Sequence, residues 1–292
     1  MAAAKPRVSI GMPVYNGEEY LEPTLDALLA QTYTDFELVI SDNGSTDRTE
    51  AICRAYAGRD ARIRYYRAEK NQGAAWNYNR VFALAQGEYF KWAAHDDLCA
   101  PEFVARCVEV LDQHPEVILC YSRTRAINEQ NEVLRDYPAK PAANAPQPSR
   151  RFYEFICVPH PCVAVFGLIR RECLARTPLI GNYSASDRPL LGELSLMGQF
   201  YEIPEYLFFY RNHPKQSWQA YPIWRARQDT WFDPAKRGRL TFPHWRLLRE
   251  HWKAVNKTRL GLYERAKCYA CLVWWVRKHW RHLANNLAYV QL

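Results

Sequence analysis

The chain has 292 residues, of which 48% are hydrophobic, so it holds ample apolar material for a core and is unlike a disordered chain. No apolar run reaches the ~18 residues of a membrane span, and the start, Met1-Ala-Ala-Ala-Lys-Pro, is unlike a signal peptide. The nine cysteines lie mostly singly in apolar segments, and Cys268-x-x-Cys271 lacks the second half of a zinc site. We therefore expect a cytoplasmic protein.

The net charge of +8 is unevenly distributed along the chain. Residues 1–222 contain 24 Lys or Arg and 27 Asp or Glu, a net charge of −3, whereas residues 223–292 contain 15 and 4, a net charge of +11. The second part also holds seven of the ten tryptophans. Two parts with different roles are predicted, a domain over 1–222 and a basic, Trp-rich helical extension over 223–292.

Strand and helix patterns alternate through the first hundred residues. The leucines at positions 21, 25, 28 and 29 recur at helical spacing. Asp47, with Glu50 three residues on, resembles a capping box for the next helix, and a third helix begins after Asn71-Gln72-Gly73 and ends near Gly87. The predicted strands of this part are Val8–Met12, Phe36–Ser41, Ile63–Arg67 and Tyr89–Ala94. This alternation predicts an α/β fold with a mostly parallel central sheet.

Further elements follow in the rest of the first part. Helices are expected from Pro101 and from Ser186-Asp187, and strands over Val117–Tyr121, Cys162–Ile169, Gln199–Ile203 and Tyr206–Tyr210. Between them, residues 138–149 are rich in Pro and Ala without apolar periodicity. This stretch is predicted to be a mobile loop, either a functional lid or a permissive surface insertion.

Polar clusters follow three of the predicted strands, at Pro13–Asn16, Asp42–Ser45 and His95–Asp97. Ligands of open α/β sheets bind at the carboxyl ends of the strands, so the three clusters predict one site. Asp96 and Asp97 repel each other unless a cation is near, and their hard oxygens suit Mg²⁺ or Mn²⁺. The alternatives are structural: a helix start near Pro101 for the aspartate pair, and a turn residue that bonds its own backbone for Asp42.

Over roughly residues 7–217 the chain resembles an inverting family 2 glycosyltransferase with the GT-A fold. The resemblance depends on an ordered set of short motifs, each weak alone and specific together. The motifs are Val-Ser-Ile-Gly-Met-Pro-Val-Tyr-Asn-Gly at 8–17, Gln-Thr-Tyr-Thr-Asp-Phe-Glu at 31–37, Ser-Asp-Asn-Gly-Ser-Thr-Asp at 41–47, Asn-Gln-Gly at 71–73 and Trp92 through Asp97.

The resemblance implies roles for individual residues. On the donor side, Tyr15 matches a ring that packs on the nucleotide base beside Pro13 and Asn16, Asp42 matches the aspartate that bonds the base, Asn71 and Gly73 belong to the matched donor loop, and Asp96 is directed at the ribose. Asp97 matches the direct ligand of a Mn²⁺ or Mg²⁺ ion, with His213 near the metal or the donor phosphates. Asp187 falls at the position of the general base.

Two departures from the family pattern affect these assignments. The family often has an acid two residues before Asp96, where this chain has Ala94, so a further ligand such as His213 becomes more useful. The base is often preceded by Glu, whereas Ser186 precedes Asp187, and Glu193 is the nearest competing acid. Locally, Asp187 is also explained as a helix cap, and His213 as part of a basic loop that faces water.

The predicted function is metal-dependent, inverting transfer of a sugar from a nucleotide-diphosphate donor to a hydroxyl of a glycan or lipid-linked acceptor, as in polysaccharide or glycolipid synthesis. Transfer creates negative charge on the leaving diphosphate, which a cation neutralises, and the acceptor hydroxyl needs a base. The alternatives are a nucleotide-sugar-binding protein without activity and a nucleotidyltransferase. The latter is disfavoured because no basic Gly-rich loop follows the first strand.

The extension contains a helical stripe formed by Tyr269, Leu272, Val273, Val276, Trp280, Leu283 and Leu287. Lys267, Arg277, Lys278 and Arg281 fall on its other side. A basic helix with Trp fits an anionic membrane surface, which predicts that residues 262–290 dock on the inner face of the cytoplasmic membrane. The alternative is that the stripe packs on the domain. No motif supports binding of nucleic acid.

Overall fold

The structure, a computed structural model, describes residues 5–140, 142–216, 231–236 and 242–288. Its strands are β1 (Val8–Val14), β2 (Phe36–Asp42), β3 (Ile63–Arg67), β4 (Tyr89–Trp92), β5 (Leu98–Cys99), β6 (Val117–Ile127), β7 (Val133–Asp136), β8 (Leu168–Arg170) and β9 (Gln199–Arg211). Its α-helices are α1 (Leu21–Leu29), α2 (Thr49–Arg59), α3 (Ala74–Leu84), α4 (Phe103–Gln113), α5 (Pro148–Ile156), α6 (Arg171–Ala175), α7 (Asp187–Met197), α8 (Pro243–Lys257) and α9 (Leu262–Ala288). Short 3-10 turns occupy Val163–Phe166 and Pro234–Lys236.

One mixed sheet organises the domain, in the order β3-β2-β1-β4-β8-β6-β9-β5, with β7 paired to β6. The α/β fold that the alternating pattern predicts is confirmed. The β3-β2-β1-β4 half is parallel, and β1 and β2 are buried along their whole length. Because β1, β2 and β4 run in one direction, the loops that follow them meet at one edge of the sheet, which we call the catalytic edge.

The second half of the sheet is where strand prediction fails. The predicted strand Cys162–Ile169 is wrong: Val165 and Gly167 donate backbone hydrogen bonds to Cys162 and Ala164, so this stretch forms a 3-10 turn before the short β8. The two strands predicted before and after Pro204 form one strand, β9. Its register against β6 shifts at Pro204, which has no N–H to donate to the ladder.

The Pro- and Ala-rich stretch at 138–149 is held in place rather than free, apart from residue 141, which lies outside the described residues. Ala143 and Ala145 are 2% and 8% exposed, and the Phe200 amide donates to the Ala143 carbonyl. Pro148 already begins α5. The prediction of a mobile loop here is wrong, because β9 and Arg151, which donates to the Ala145 carbonyl, hold the segment.

The two C-terminal helices pack on α5 and α7 through one apolar cluster, and we call this contact the C-terminal seam. The cluster contains Phe152, Ile156, Leu196, Leu247, Val255, Cys268, Leu272, Trp275 and Leu283. The predicted boundary at residue 222 lies outside the described residues. Nowhere in the described ranges is a helix both long and apolar enough to cross a bilayer.

The apolar stripe predicted for α9 is divided between two faces, since Leu272 and Leu283 are buried and two other members are exposed. Val273 and Trp280 are 63% and 58% exposed, whereas Trp275 is 3% exposed. Which side of α9 faces inward is determined by its contacts with α5 and α8, and helical spacing alone does not reveal these contacts. The side chain of Leu287 and the end of the predicted segment, residues 289–290, lie outside the described residues.

Candidate active site

A cavity of about 620 Å³ opens at the catalytic edge. Six of the predicted site residues line it: Tyr15, Asn16, Asp96, Asp97, Asp187 and His213. They come from the ends of β1 and β4, the start of α7 and the segment after β9, so distant parts of the chain converge on one space. Pro13, Asp42, Asn71 and Gly73 are not in the lining.

Asp96 and His213 form the polar centre of this cavity. The His213 Nε2 lies 2.9 Å from Asp96 Oδ2, and the two side chains are 6% and 16% exposed. Burial raises the pKa of Asp96, but the hydrogen bond to His213 and the nearby His95 outweigh it, so its pKa is lowered. Asp96 is therefore held as a carboxylate that faces the cavity.

Asp97 is more deeply buried, at 4% exposed. Its Oδ1 accepts a 2.9 Å hydrogen bond from the Arg211 amide, while Oδ2 is buried without a partner in the described part of the chain. Burial and the negative charge of Asp96 raise the pKa of Asp97 well above its usual range, against the opposing pull of the Arg211 amide and Lys91. A further positive charge beside this carboxylate would offset the energetic cost of ionising it.

The protein atoms at this centre fit a divalent cation that is shared with a diphosphate. Asp97 Oδ2 and His213 Nδ1 are buried and lack partners among the described residues. The described ranges contain no group of three or more His, Cys, Asp or Glu placed to hold a metal by themselves. Mg²⁺ and similar ions are commonly bound by one or two carboxylates plus substrate phosphates, so this sparse set suits an ion whose shell the donor completes.

The turn after β1 presents Tyr15 at the mouth of the cavity, 41% exposed. Asn16 adopts φ 49°, and its Oδ1 accepts a 2.9 Å hydrogen bond from the Thr46 amide. The Asn16 amide in turn donates to Ser45 Oγ. This pair of bonds ties the loops after β1 and β2 together and holds the backbone next to Tyr15.

Three predicted donor-binding residues lie outside the cavity lining and brace the loops next to it: Asp42, Asn71 and Gly73. The Asp42 carboxylate accepts from the Ser45 amide and the Tyr65 hydroxyl, both at 2.8 Å, and is fully buried. Asn71 Oδ1 accepts from Asn43 Nδ2 and the Gly73 amide. These contacts are structural, and the donor-binding roles of the three residues stay predictions.

The two candidate bases lie on the same helix but face different surroundings. Asp187, the first residue of α7, lines the cavity. Glu193 is buried on the far side and forms a 2.8 Å ion pair with Lys257 of α8. The cavity therefore offers Asp187 to a substrate, and Glu193 belongs to the C-terminal seam.

Sequence reasoning missed two residues that hold the site together. Arg211 donates its amide to Asp97 and its Nε to the Asp96 carbonyl, at 2.9 and 2.8 Å. Asn43 spans the loops after β2 and β3 through Asn71, Gly73 and the Gln72 amide. The only signal for Arg211 was its place two residues before His213, and Asn43 resembled an ordinary turn residue.

Comparison with known proteins gives the chain its family. Residues 9–176, more than half of the chain, match the family described as Glycosyl transferase family 2. The chain belongs to this family. The resemblance stated from the motifs is therefore confirmed.

Sequence relatives carry the same description. An uncharacterised glycosyltransferase of Rickettsia typhi is 34% identical over 137 residues, which cover 47% of this chain and 41% of the relative. Glycosyltransferase GlyG of Streptococcus pneumoniae is 36% identical over 91 residues, covering 31% of this chain and 30% of GlyG. The chain thus matches less than half the length of these relatives.

Solved structures confirm the GT-A-type architecture. The crystal structure of S. aureus TarS 1–349 in complex with UDP matches with a TM-score of 0.69 and 16% identity, covering 94% of this chain and 72% of that TarS fragment. The mannosyltransferase PcManGT of Pyrobaculum calidifontis, in complex with GDP-Man and Mn²⁺, matches with a TM-score of 0.54 and 18% identity, covering 98% and 76%. At these identities the similarity establishes the fold alone.

Proposed function

We propose that this chain transfers a sugar from a nucleoside diphosphate donor to a hydroxyl of a glycan or lipid-linked acceptor, with inversion at the anomeric carbon. The observation that carries the proposal is the shared cavity, where the Asp96–His213 pair, Asp97 and Asp187 meet in one space. TarS is described with UDP and UDP-GlcNAc, and PcManGT with GDP-Man and Mn²⁺, which makes UDP and GDP sugars the first donors to test.

In this proposal the nucleotide base lies against Tyr15. Asp96 is directed at the ribose, and the diphosphate lies near Asp97 and His213. A bound Mn²⁺ or Mg²⁺ would neutralise the negative charge that develops on the leaving diphosphate. Asp97 and His213 would hold it. Asp96 would contact the donor. The Arg211 amide orients the Asp97 carboxylate through its hydrogen bond.

Asp187 then acts on the acceptor. Its carboxylate takes the proton of the acceptor hydroxyl as the hydroxyl oxygen bonds to the anomeric carbon and the bond to the diphosphate breaks. One displacement without an enzyme nucleophile inverts the configuration. Glu193 is excluded from this role in the proposal because Lys257 already pairs with it, outside the cavity lining.

We further propose an anionic membrane surface, on the inner face of the cytoplasmic membrane, as the partner of α9. The support is its outward face, not the stripe predicted from spacing. Five large apolar side chains there are between 40% and 87% exposed: Leu262, Tyr263, Val273, Trp274 and Trp280. Arg277 and Arg281 are exposed beside them. Exposed aromatic and basic groups together are typical of interfacial helices.

Donor turnover tests the proposed reaction. The protein is incubated with UDP and GDP sugars, with Mn²⁺, Mg²⁺ or EDTA, and release of the nucleoside diphosphate is followed. We expect one donor to be hydrolysed slowly in a metal-dependent manner without an acceptor. If no nucleoside diphosphate is released from any of the donors with either metal, the proposed reaction is wrong.

A further inference from the structure

A second depression, which we call the side depression, lies next to the main cavity. Its volume is about 350 Å³, and it shares Ile180 and Phe232 with the cavity lining. Its walls come from three places: Gln72 and Trp76 at the start of α3, Ile180 and Asn182 in the loop before α7, and Phe232 with Asp233 from the extension. The two spaces are therefore adjacent, with Ile180 and Phe232 as their common wall.

The residues of the lining combine aromatic side chains with planar polar groups. Trp76 and Phe232 supply aromatic surface, while Gln72 and Asn182 supply amides and Asp233 a carboxylate. A pyranose ring presents apolar C–H faces and a rim of hydroxyls, each both a donor and an acceptor. Amides offer donors and acceptors, carboxylates offer up to four acceptor positions, and aromatic rings cover the apolar face, so this set complements a sugar.

The side depression is built rather than incidental. Asn79 makes two hydrogen bonds to the backbone of Ile180, at 2.9 and 3.1 Å, which fix the loop before α7. Asp233 Oδ2 accepts a 3.0 Å hydrogen bond from Asn182, which ties the extension to that loop. The Arg80 guanidinium lies 4.9 Å from the centroid of the Trp76 indole.

Gly73 shows how closely the extension is seated. It adopts φ 92°, and a Cβ placed there would lie 2.5 Å from the Phe232 carbonyl oxygen and 2.7 Å from Pro234 Cδ. A side chain at this position would displace the segment from 231 to 236. Phe232 is thereby held between the main cavity and the side depression.

We propose that the side depression binds a sugar unit of the acceptor other than the one that reacts, so that the acceptor is an oligosaccharide or a polysaccharide chain. This inference rests on the proposed function. A nucleotide sugar carries a single sugar, and that sugar must lie in the main cavity beside Asp96 and Asp187. A further saccharide site next to the cavity therefore belongs to the acceptor.

Direct binding tests the proposal without any donor. Glucose, mannose and N-acetylglucosamine, and the matching cello-, manno- and chito-tetrasaccharides, are titrated by saturation-transfer NMR and calorimetry. We expect at least one tetrasaccharide to bind ten-fold or more tightly than its own monosaccharide. In Trp76→Leu and Gln72→Ala that advantage falls towards the monosaccharide value, whereas Trp252→Leu, an exposed tryptophan of α8, retains it.

The Gln72 side chain is exposed, so Gln72→Ala leaves the fold intact even if the indole is needed for packing. Equal affinity for monosaccharide and tetrasaccharide, no binding across the panel, or undiminished binding in both variants would overturn the acceptor subsite. Calorimetry with UDP and GDP sugars on the unaltered protein is run in parallel. Failure there removes the proposed function, whereas donor binding without a tetrasaccharide advantage removes only the subsite.

Discussion

Helix α7 connects two regions of opposite character. Its first residue, Asp187, lies at the catalytic edge, where polar groups from distant loops meet around a cavity. Six residues later Glu193 lies in the C-terminal seam, where apolar side chains and one ion pair join the extension to the domain. Two carboxylates on one helix thus have different surroundings, and their places in the sequence do not distinguish them.

The most severe test of this contrast exchanges the two acids for amides. Asp187→Asn should reduce sugar transfer by ~10²–10⁴-fold, because the acceptor hydroxyl loses its base, while donor affinity stays unchanged. Glu193→Gln should retain transfer and instead lower the melting temperature, because Lys257 loses its buried partner. Steady-state kinetics and thermal melts measure both. An inactive Glu193→Gln beside an active Asp187→Asn would reverse the assignment.

The seam is tested by two tryptophans on opposite faces of α9. Trp275→Ala removes a ring that is 3% exposed and should cost about 3–5 kcal/mol of unfolding free energy. Trp280→Ala, 58% exposed, is the matched control and should change stability by less than about 0.5 kcal/mol. Urea unfolding followed by circular dichroism gives both values. Equal losses would mean that the extension does not pack as the structure has it.

Acid should loosen the seam, because two of its histidines are buried in the neutral form. Burial, followed by Arg188 and His279, lowers the pKa of His251 to about 3, and burial with His282 and His279 lowers that of His244 to about 4. Both values lie below the ordinary value near 6.5, so the folded state binds fewer protons than the unfolded chain. Their stabilising contribution is complete above pH 6.5 and decreases as the pH falls towards 4.

Urea midpoints at pH 7.5, 6.0 and 5.0 measure this dependence. Each histidine should contribute up to ~1.4 kcal/mol for every pH unit below 6.5. His251→Gln should make the pH dependence shallower than in the unaltered protein. Midpoints that do not change between pH 7.5 and 5.0 would contradict neutral, buried imidazoles in the seam.

The smallest effect concerns the outward face of α9. Arg277→Gln with Arg281→Gln should weaken sedimentation with anionic liposomes by about 1 kcal/mol per charge, and salt should weaken it further. Arg54→Gln with Arg59→Gln on α2 removes the same charge elsewhere and should leave binding unchanged. Unaltered Trp fluorescence on adding liposomes, together with equal sedimentation of both pairs, would end the membrane proposal.

The sequence predicted the catalytic edge better than the seam, and the reason is physical. Strands β1, β2 and β4 are buried on both faces and end in short polar motifs, so hydrophobic runs and turn residues locate both the elements and the loops that follow. In contrast, helical spacing puts Leu272 and Leu283 in one stripe with Val273 and Trp280. Only the partners on α5 and α8 show that the first two face inward and the last two outward. The strand predicted over Cys162–Ile169 was wrong for a similar reason. β-Branched residues such as Val163 and Val165 favour a strand, but tertiary contacts make this stretch a 3-10 turn.

Within the site, residue types were recognised but their partners were not. The Asp96–His213 pair joins positions 117 apart along the chain, and no spacing rule predicts it. Arg211 escaped notice because its contribution to Asp97 is a backbone amide, which every residue has. Phe232 lies outside the recognised motifs altogether, and only the fold brings it to the cavity.

The central claim, a donor site completed by a divalent cation, is tested most directly by calorimetric titration of UDP and GDP. Each is measured with Mn²⁺ and with EDTA, in the unaltered protein and in Asp97→Asn. The account predicts that one nucleotide binds in Mn²⁺, that EDTA weakens this binding at least ten-fold, and that Asp97→Asn abolishes the metal dependence while the melt shows a folded protein. Binding of equal strength with and without metal, unchanged in Asp97→Asn, would contradict it.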